Sequence, residues 1–325
     1  MNNEYADTVT EADFFAIKIG TLRTDLVTGF GLYLPPRPGR EPVLYRDANL
    51  PFSEEARARL QDNRIGALLV KKADRRAWLQ YTEQVLPAVL SNADVPVTER
   101  AALLYESAQE LVHEVLANPE SGDLIQTSRT AVDSMVGFLF NESSAFYELM
   151  RLTSYDYYTY THSVNVFVYS VSLANQIGYS GPEVSEFGHG TLMHDIGKQR
   201  IDAEITNSKG KLTEAQWNQM QMHPLHGYEI LREHGETSAI ALDVTRHHHE
   251  KINGRGYPDG LAGDEISTWA RISTIADIFD ALTTKRSYKD AMDTFFALQF
   301  MKEKMWDELD HKFFMAFVSM MAKQK

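Results

Sequence analysis

Nine of the eleven histidines in this chain fall between His162 and His249, and several of them stand close to aspartates. Imidazole is the commonest metal ligand in proteins, and His grouped with Asp on helices holds cations where thiolates are lacking. The chain has no cysteine. Thiolate zinc sites, iron–sulfur clusters, cysteine nucleophiles and disulfide scaffolds are therefore excluded. Two groupings are densest: His194–Asp195 within LMHDIGK, and the triple His247–His248–His249 followed by Glu250.

Each of these features also has an ordinary reading. His194–Asp195 could be a polar pair near a helix C-terminus, where imidazole meets the macrodipole favourably. Its neighbours Leu192, Met193 and Ile196 are apolar, however, and buried polar groups need partners, of which a metal is one. Lys198, three residues after Asp195, falls on the same helix side and within reach of a phosphate oxygen. His162 opens a segment, 161–177, that is apolar nearly all round; alone it could be a satisfied core histidine. His223, before Pro224, could cap a helix, and the triple histidine could be a solvated run. Asp277 lies in the apolar stretch ARISTIADIFDAL, with Ile272, Ile275, Ile278 and Phe279 facing inward. Asp277 or Asp280 must therefore find a cation or a donor. Singly these signals are weak; together they are hard to explain without metal. The glycine-rich Asn253–Gly260 cannot be helical. It is either a surface turn or, following the histidine run directly, a wall of the same pocket.

The elements that must position these groups follow from periodicity and punctuation. Phe15, Ile17 and Ile19 alternate as in a half-buried strand, as do Phe30, Leu32 and Leu34, and Pro35–Gly39 breaks the chain. Ser53 can cap a helix over 54–61, 65–70 reads as a strand, and 74–90 as a helix. Beyond the loop 91–96, strand signals almost vanish. Helical patterns cover 98–117 and 128–152, and six or seven more helices follow Thr153. One of these ends near Gly178 in the C-cap role, and the next runs from Pro182 to Gly197. Thr213 and Gln216 have capping-box spacing. The expected fold is α+β: a small mixed α/β regulatory module over 1–92, a helical connector over 93–152, and an all-helical domain over 153–325. On the connector, Leu103, Leu104, Ala108, Leu111, Val112 and Val115 form an apolar stripe suited to packing or to a homodimer.

Composition bounds the rest. At roughly 100–200 residues per domain, 325 residues suggest two domains. Hydrophobic residues at 43% and charged residues at 24% describe a globular chain, excluding a disordered or fibrous one. A formal net charge of −13 opposes binding to a nucleic-acid polymer or an anionic membrane. An anionic substrate would have to be drawn by a few Lys/Arg or by bound cations. The N-terminus is polar and acidic, with no signal-peptide pattern and no long apolar run, which points to the cytoplasm.

Taken together, YTYTHS around His162, LMHDIGK, the HP at His223–Pro224, HHEKINGRGYPDGLAGDEI and ARISTIADIFDALTTKRSYKDA resemble the HD-GYP domain, a branch of the HD metal-dependent phosphohydrolases. The match runs from about Thr153 to the C-terminus. The resemblance implies a bacterial phosphodiesterase acting on cyclic di-GMP through two-metal hydrolysis to linear pGpG. It implies His162, His194, Asp195, His223, His248, His249 and Asp277 as metal ligands, with Asp195 bridging two cations about 3.5–4 Å apart. His247 becomes a neighbour of the ligand pair. Lys198, Arg286 and Lys289 fall on positions that contact phosphate or guanine, and Gly256, Tyr257 and Pro258 form the substrate-side loop. Asp195 and Lys198 carry the chemistry. Iron or manganese suits such nitrogen and oxygen ligands. Partners implied are cyclic di-GMP and, through the GYP loop, signalling proteins such as GGDEF-domain proteins. Two positions depart from the pattern: Asn253 replaces the usual Asp, and Tyr158 stands where three-metal members carry glutamate, so two metals are expected. Competing readings are a low-turnover cyclic dinucleotide receptor, and the same hydrolysis on another dinucleotide such as cyclic GMP-AMP.

Overall fold

A computed structural model describes residues 13–24, 26–36, 40–153, 159–208, 210–285 and 290–322. The chain divides into two compact units, Met1–Ser107 and Ala108–Lys325, so the expected connector segment is shared between them.

In the first unit, β1 (Phe14–Lys18), β2 (Leu32–Leu34), β3 (Val43–Arg46) and β4 (Ala67–Lys71) form one antiparallel sheet in the order β1-β4-β2-β3. Helices α1 (Glu54–Asp62) and α2 (Arg75–Leu90) follow β3 and β4. Ser53 caps α1 as expected, its Oγ accepting the amide N–H of Ala56. Phe30, Leu32, Phe52, Leu68, Val70, Trp78 and Tyr81 build the core. Three details depart from expectation. Ile19 opens a 3-10 turn instead of ending the strand. Phe30 is buried but lies ahead of β2. Strand β3 was not anticipated, because Val43 and Leu44 on this sheet edge are exposed and do not alternate. Of the Pro35–Gly39 turn, 37–39 lie outside the described residues.

Helices α3 (Val97–Ala117), α4 (Gly122–Asn141) and α5 (Ala145–Leu152) come next. The pattern over 128–152 is thus two helices. Asn141–Ser144 is a run of polar side chains that compete for backbone hydrogen bonds, and Glu142 leaves helical geometry. All six residues of the connector stripe are buried within the chain.

Among the described residues, nine α-helices follow: α6 (Thr159–Gln176), α7 (Pro182–Leu192), α8 (Ala203–Thr206), α9 (Glu214–Met220), α10 (His223–Glu233), α11 (Ala239–His247), α12 (Thr268–Thr283), α13 (Thr294–Lys304) and α14 (His311–Ala322). The surplus over six or seven comes from single-turn pieces such as α8, too short to leave a period. Helix α6 is buried from Thr161 to Ala174, as its all-round apolar sequence requires, and packs against α7 and α12. Gly178 adopts φ 95°, and both halves of the Thr213–Gln216 capping box form.

The helix expected over 182–197 ends at Leu192, and a 3-10 turn covers Ile196–Arg200. The break has a steric cause. A Cβ on Gly197 would lie 2.0 Å from the His223 carbonyl O and 2.3 Å from the Gly227 N, so the chain there runs backbone to backbone with α10. Among the described residues, no helix is long and apolar enough to cross a membrane.

Candidate metal centre

Four segments of the second unit deliver the histidines and aspartates to one buried point. His162 comes from the first turn of α6. His194 and Asp195 lie in the turn between α7 and the 3-10 segment, and His223 begins α10. His248 and His249 follow α11 directly, and Asp277 sits in the middle of α12. His162, His194, Asp195, His223 and His248 are each at most 1% exposed.

The orientation of each ring is set from behind. His194 Nδ1 donates to the Thr191 carbonyl at 2.7 Å, His223 Nδ1 to the Met220 carbonyl at 2.7 Å, and His248 Nδ1 to the Thr245 carbonyl at 2.9 Å. A carbonyl only accepts, so the proton is on Nδ1 and each Nε2 presents a lone pair inward. His162 Nδ1 donates to Asp280 Oδ2 at 2.7 Å. Asp280 is itself held by Asn165 at 2.8 Å and Thr284 at 3.2 Å. Residue chemistry alone left Asp277 and Asp280 undivided, and the resemblance named Asp277; in the structure Asp280 stands behind His162 and Asp277 in front.

The inward atoms converge. His162 Nε2 lies 3.2 Å from His194 Nε2 and 3.1 Å from Asp277 Oδ1. His223 Nε2 lies 3.3 Å from His248 Nε2 and 3.3 Å from Asp195 Oδ1. His249 Nδ1 lies 3.4 Å from Asp277 Oδ2. Asp195 Oδ2 is 3.6 Å from His162 and 3.5 Å from His194. Facing lone pairs at these distances repel unless a cation lies among them. Asp195 Oδ1 is buried and has no hydrogen-bond partner, which is costly for a carboxylate unless a cation meets it. Two donor triplets, His162/His194/Asp277 and His223/His248/His249, can each hold an ion, with a third grouping, His194/Asp195/His248, between them. The residues fit a pair of divalent cations.

The electrostatics agree. Burial pushes His194 and His248 down, the latter well below the usual imidazole range with help from its imidazole neighbours. Burial likewise lowers His249 to about 3. These rings are neutral at physiological pH, the form that ligates. Burial works against ionisation of Asp195, but Lys198 and the surrounding imidazoles more than offset it, holding the carboxyl well below its ordinary value. Asp277 is similarly held low against burial, by the neighbouring imidazoles, His162 foremost and then His249 and His194. Lys198 Nζ stands 2.5 Å from Asp195 Oδ2; in a 3-10 turn, positions three apart eclipse.

The glycine-rich loop closes one side. Glu250 is 1% exposed. Its carboxyl accepts the backbone N–H groups of Asp259 at 2.7 Å, Gly260 at 3.0 Å and Leu261 at 3.1 Å. A Cβ on Gly256 would sit 2.4 Å from Glu250 Cα. The Tyr257 ring lies 4.7 Å from that of His249, and the Tyr257–Pro258 peptide is cis. Arg246 and His247, from the last turn of α11, both bond Asp259, so His247 acts as a loop contact beside the ligand pair. Asn253 accepts from Arg255 N–H and donates to Asp307 at 3.1 Å, a bond that an aspartate could not donate. Sequence reasoning named Glu250 only as the residue after the histidine pair; an acid in an otherwise glycine-rich, amide-exposing stretch was the available signal. Arg286 and Lys289, and Tyr158 on which the two-metal expectation rests, lie outside the described residues.

Glu250→Gln replaces one acceptor oxygen with a donor facing backbone N–H groups. It is expected to cost about 1–2 kcal/mol and to lower the melting temperature by roughly 2–8 °C. An unchanged melting curve would show that the loop is held by other contacts.

A fold with a central buried helix and a His/Asp centre of this kind is that of the metal-dependent HD phosphohydrolases. A family model for the HD domain matches residues 140–312, and the chain belongs to that family. It is 37% identical over 239 residues to a cyclic di-GMP phosphodiesterase of Pseudomonas aeruginosa, covering 72% of this chain and 57% of the relative. It is 40% identical over 159 residues to a 3'3'-cGAMP-specific phosphodiesterase of Vibrio cholerae, covering 49% of this chain and 34% of the relative. The chain thus spans about half or less of the length of these relatives. Among solved structures, an HDG"Y"P protein from Bdellovibrio bacteriovorus superimposes with a TM-score of 0.67 at 19% identity, covering 95% of this chain and 100% of that one; this is a likeness of fold.

Proposed function

We propose that the chain is a cyclic dinucleotide phosphodiesterase that opens cyclic di-GMP to linear pGpG. The observation that carries this reading is Asp195, whose unpartnered Oδ1 and its Oδ2 face opposite donor triplets. The name of the Pseudomonas relative supports the substrate. His162, His194 and Asp277 would hold one divalent cation and His223, His248 and His249 the other, with Asp195 between them. Iron or manganese suits these nitrogen and oxygen donors. When bound, such cations supply Lewis acidity and lower the pKa of a coordinated water.

The chain's own residues supply the rest. His194, His248 and His249 stay neutral and oriented, and Asp195 and Asp277 stay charged. Lys198 places an ammonium at the edge of the centre, where it can neutralise a non-bridging phosphate oxygen as charge develops. Arg286 and Lys289 are proposed as further contacts to phosphate or guanine, and Gly256, Tyr257 and Pro258 as the loop on the substrate side. Local cations thus overcome the repulsion of a chain with net charge −13 for an anionic substrate. A cytoplasmic setting, and GGDEF-domain partners at the GYP loop, complete the proposal. A homodimer through the 93–152 helices would have to use faces other than the buried stripe.

A second substrate is favoured by the 3'3'-cGAMP-specific relatives. Product chromatography after anaerobic incubation of iron- or manganese-loaded protein with each dinucleotide separates the two. We expect pGpG from cyclic di-GMP, abolished by chelation and restored by metal. Faster opening of 3'3'-cGAMP would change the substrate. Binding of either without turnover by the metallated protein would replace the enzyme with a receptor.

A further inference from the structure

Helix α9 buries none of its seven side chains completely, yet its start is fixed by a capping box and by the Trp217 N–H bond to the Thr213 carbonyl at 2.8 Å. An element held this firmly without contributing to the core is placed for what it displays. It displays Trp217, 45% exposed, with Met222 just beyond at 40%. A large aromatic side chain normally gains its stability by burial, so an indole left in water at a site mouth is available to a ligand.

The position of this indole is specific. Its ring centroid lies 6.0 Å from that of Tyr257, edge to face at 81°. Tyr257 in turn lies 4.7 Å from His249, at 32°, and 6.4 Å from His223. The rings therefore form a continuous aromatic path from the second donor triplet out to solvent.

We propose that Trp217 is a substrate-binding residue that stacks on a purine base of the cyclic dinucleotide while the adjacent phosphodiester sits at the His/Asp centre. This rests on the phosphodiesterase reading, and extends it by naming a base-recognition residue on α9. In a cyclic dinucleotide each phosphodiester lies next to a base on both sides, so a phosphate at the centre carries a base towards the flanking wall. Stacking of this kind tolerates different bases but favours the larger purine surface over a pyrimidine.

The test compares wild type, Trp217→Ala and Trp217→Phe, all metal-loaded and with metal content measured. It reads kcat, KM and the calorimetric Kd for cyclic di-GMP and cyclic di-UMP. Trp217→Ala is expected to raise KM and Kd for cyclic di-GMP about tenfold. It should leave kcat within about twofold and narrow the preference over cyclic di-UMP; Trp217→Phe should recover most of the loss. Unchanged KM and Kd in the alanine variant would overturn the inference and leave the phosphodiesterase reading standing. A weakened Kd without wild-type turnover would keep the inference and overturn the phosphodiesterase reading. No binding by the metallated wild type would overturn both.

Discussion

Asp195→Ala is expected to lower the proposed cyclic di-GMP hydrolysis by at least about 10³-fold, several kcal/mol of lost transition-state stabilisation. It should also remove most of the bound metal. Asp195 has one oxygen towards each donor triplet, Oδ1 towards His223 and Oδ2 towards His162 and His194, and its buried Oδ1 has no hydrogen-bond partner. Without it Asp277 is left as the single carboxylate facing both sets of imidazole lone pairs, and the negative charge that would offset two divalent cations is halved. The variant should still fold, because the residue lies in a turn and not in a helix interior, and circular dichroism checks this. Retention of two metals with full activity would show that Asp195 is not the bridge. Retention of metal with lost activity would place its role in the chemistry alone, through Lys198, which stands 2.5 Å away.

Gly197→Ala should produce the largest loss of stability from a single added methyl. The new Cβ would meet the His223 carbonyl O at 2.0 Å and the Gly227 N at 2.3 Å. Both are backbone atoms, which cannot rotate aside as a side chain can. The two segments must separate, and α10 carries His223 away with it. A cost on the order of 3 kcal/mol is expected, at the upper end for overpacking, lowering the melting temperature by roughly 6–12 °C. Metal content should fall in parallel, since one donor of the second triplet is displaced. A melting curve within about 2 °C of wild type would show that the 3-10 segment relaxes without strain. Gly227 lies on the facing surface, where a Cβ would stand 3.3 Å from the Gly197 N, so this approach is tight from both sides.

Legibility in the sequence followed the range of the interaction concerned. Helix α6 was readable because its fourteen consecutive buried positions leave an unbroken apolar signal. The α1 cap and the capping box of α9 were readable because each is complete within four residues. Strand β3 was not, since it is an edge strand with exposed valine and leucine, so no inward–outward alternation is written into it. Nor was the end of α7 at Leu192, because it depends on Gly197 meeting a helix that begins 26 positions later. The same limit applied to Asp277 and Asp280. Both lie in one apolar helix, so residue chemistry alone could not choose; the resemblance named Asp277, and the placement of His162 and Asn165 sets Asp280 behind the imidazole and Asp277 in front.

The sequence by itself determined the chemistry available to this protein. The absence of cysteine, the crowding of histidine and aspartate and the glycine-rich loop left nitrogen and oxygen ligation as the means of holding a metal. The tertiary structure decided what that ligand set becomes. It turned the Nδ1 protons of His162, His194, His223 and His248 onto carbonyl or carboxyl acceptors, left their Nε2 lone pairs facing inward, and stranded Asp195 Oδ1 among them without a donor. It also bound the loop to Glu250 through three amides and set Trp217 beside Tyr257. The physical reason is that residue type is inherited directly from the chain. Which lone pair faces which, between His162 and a residue 115 positions away at Asp277, exists only after the helices have packed.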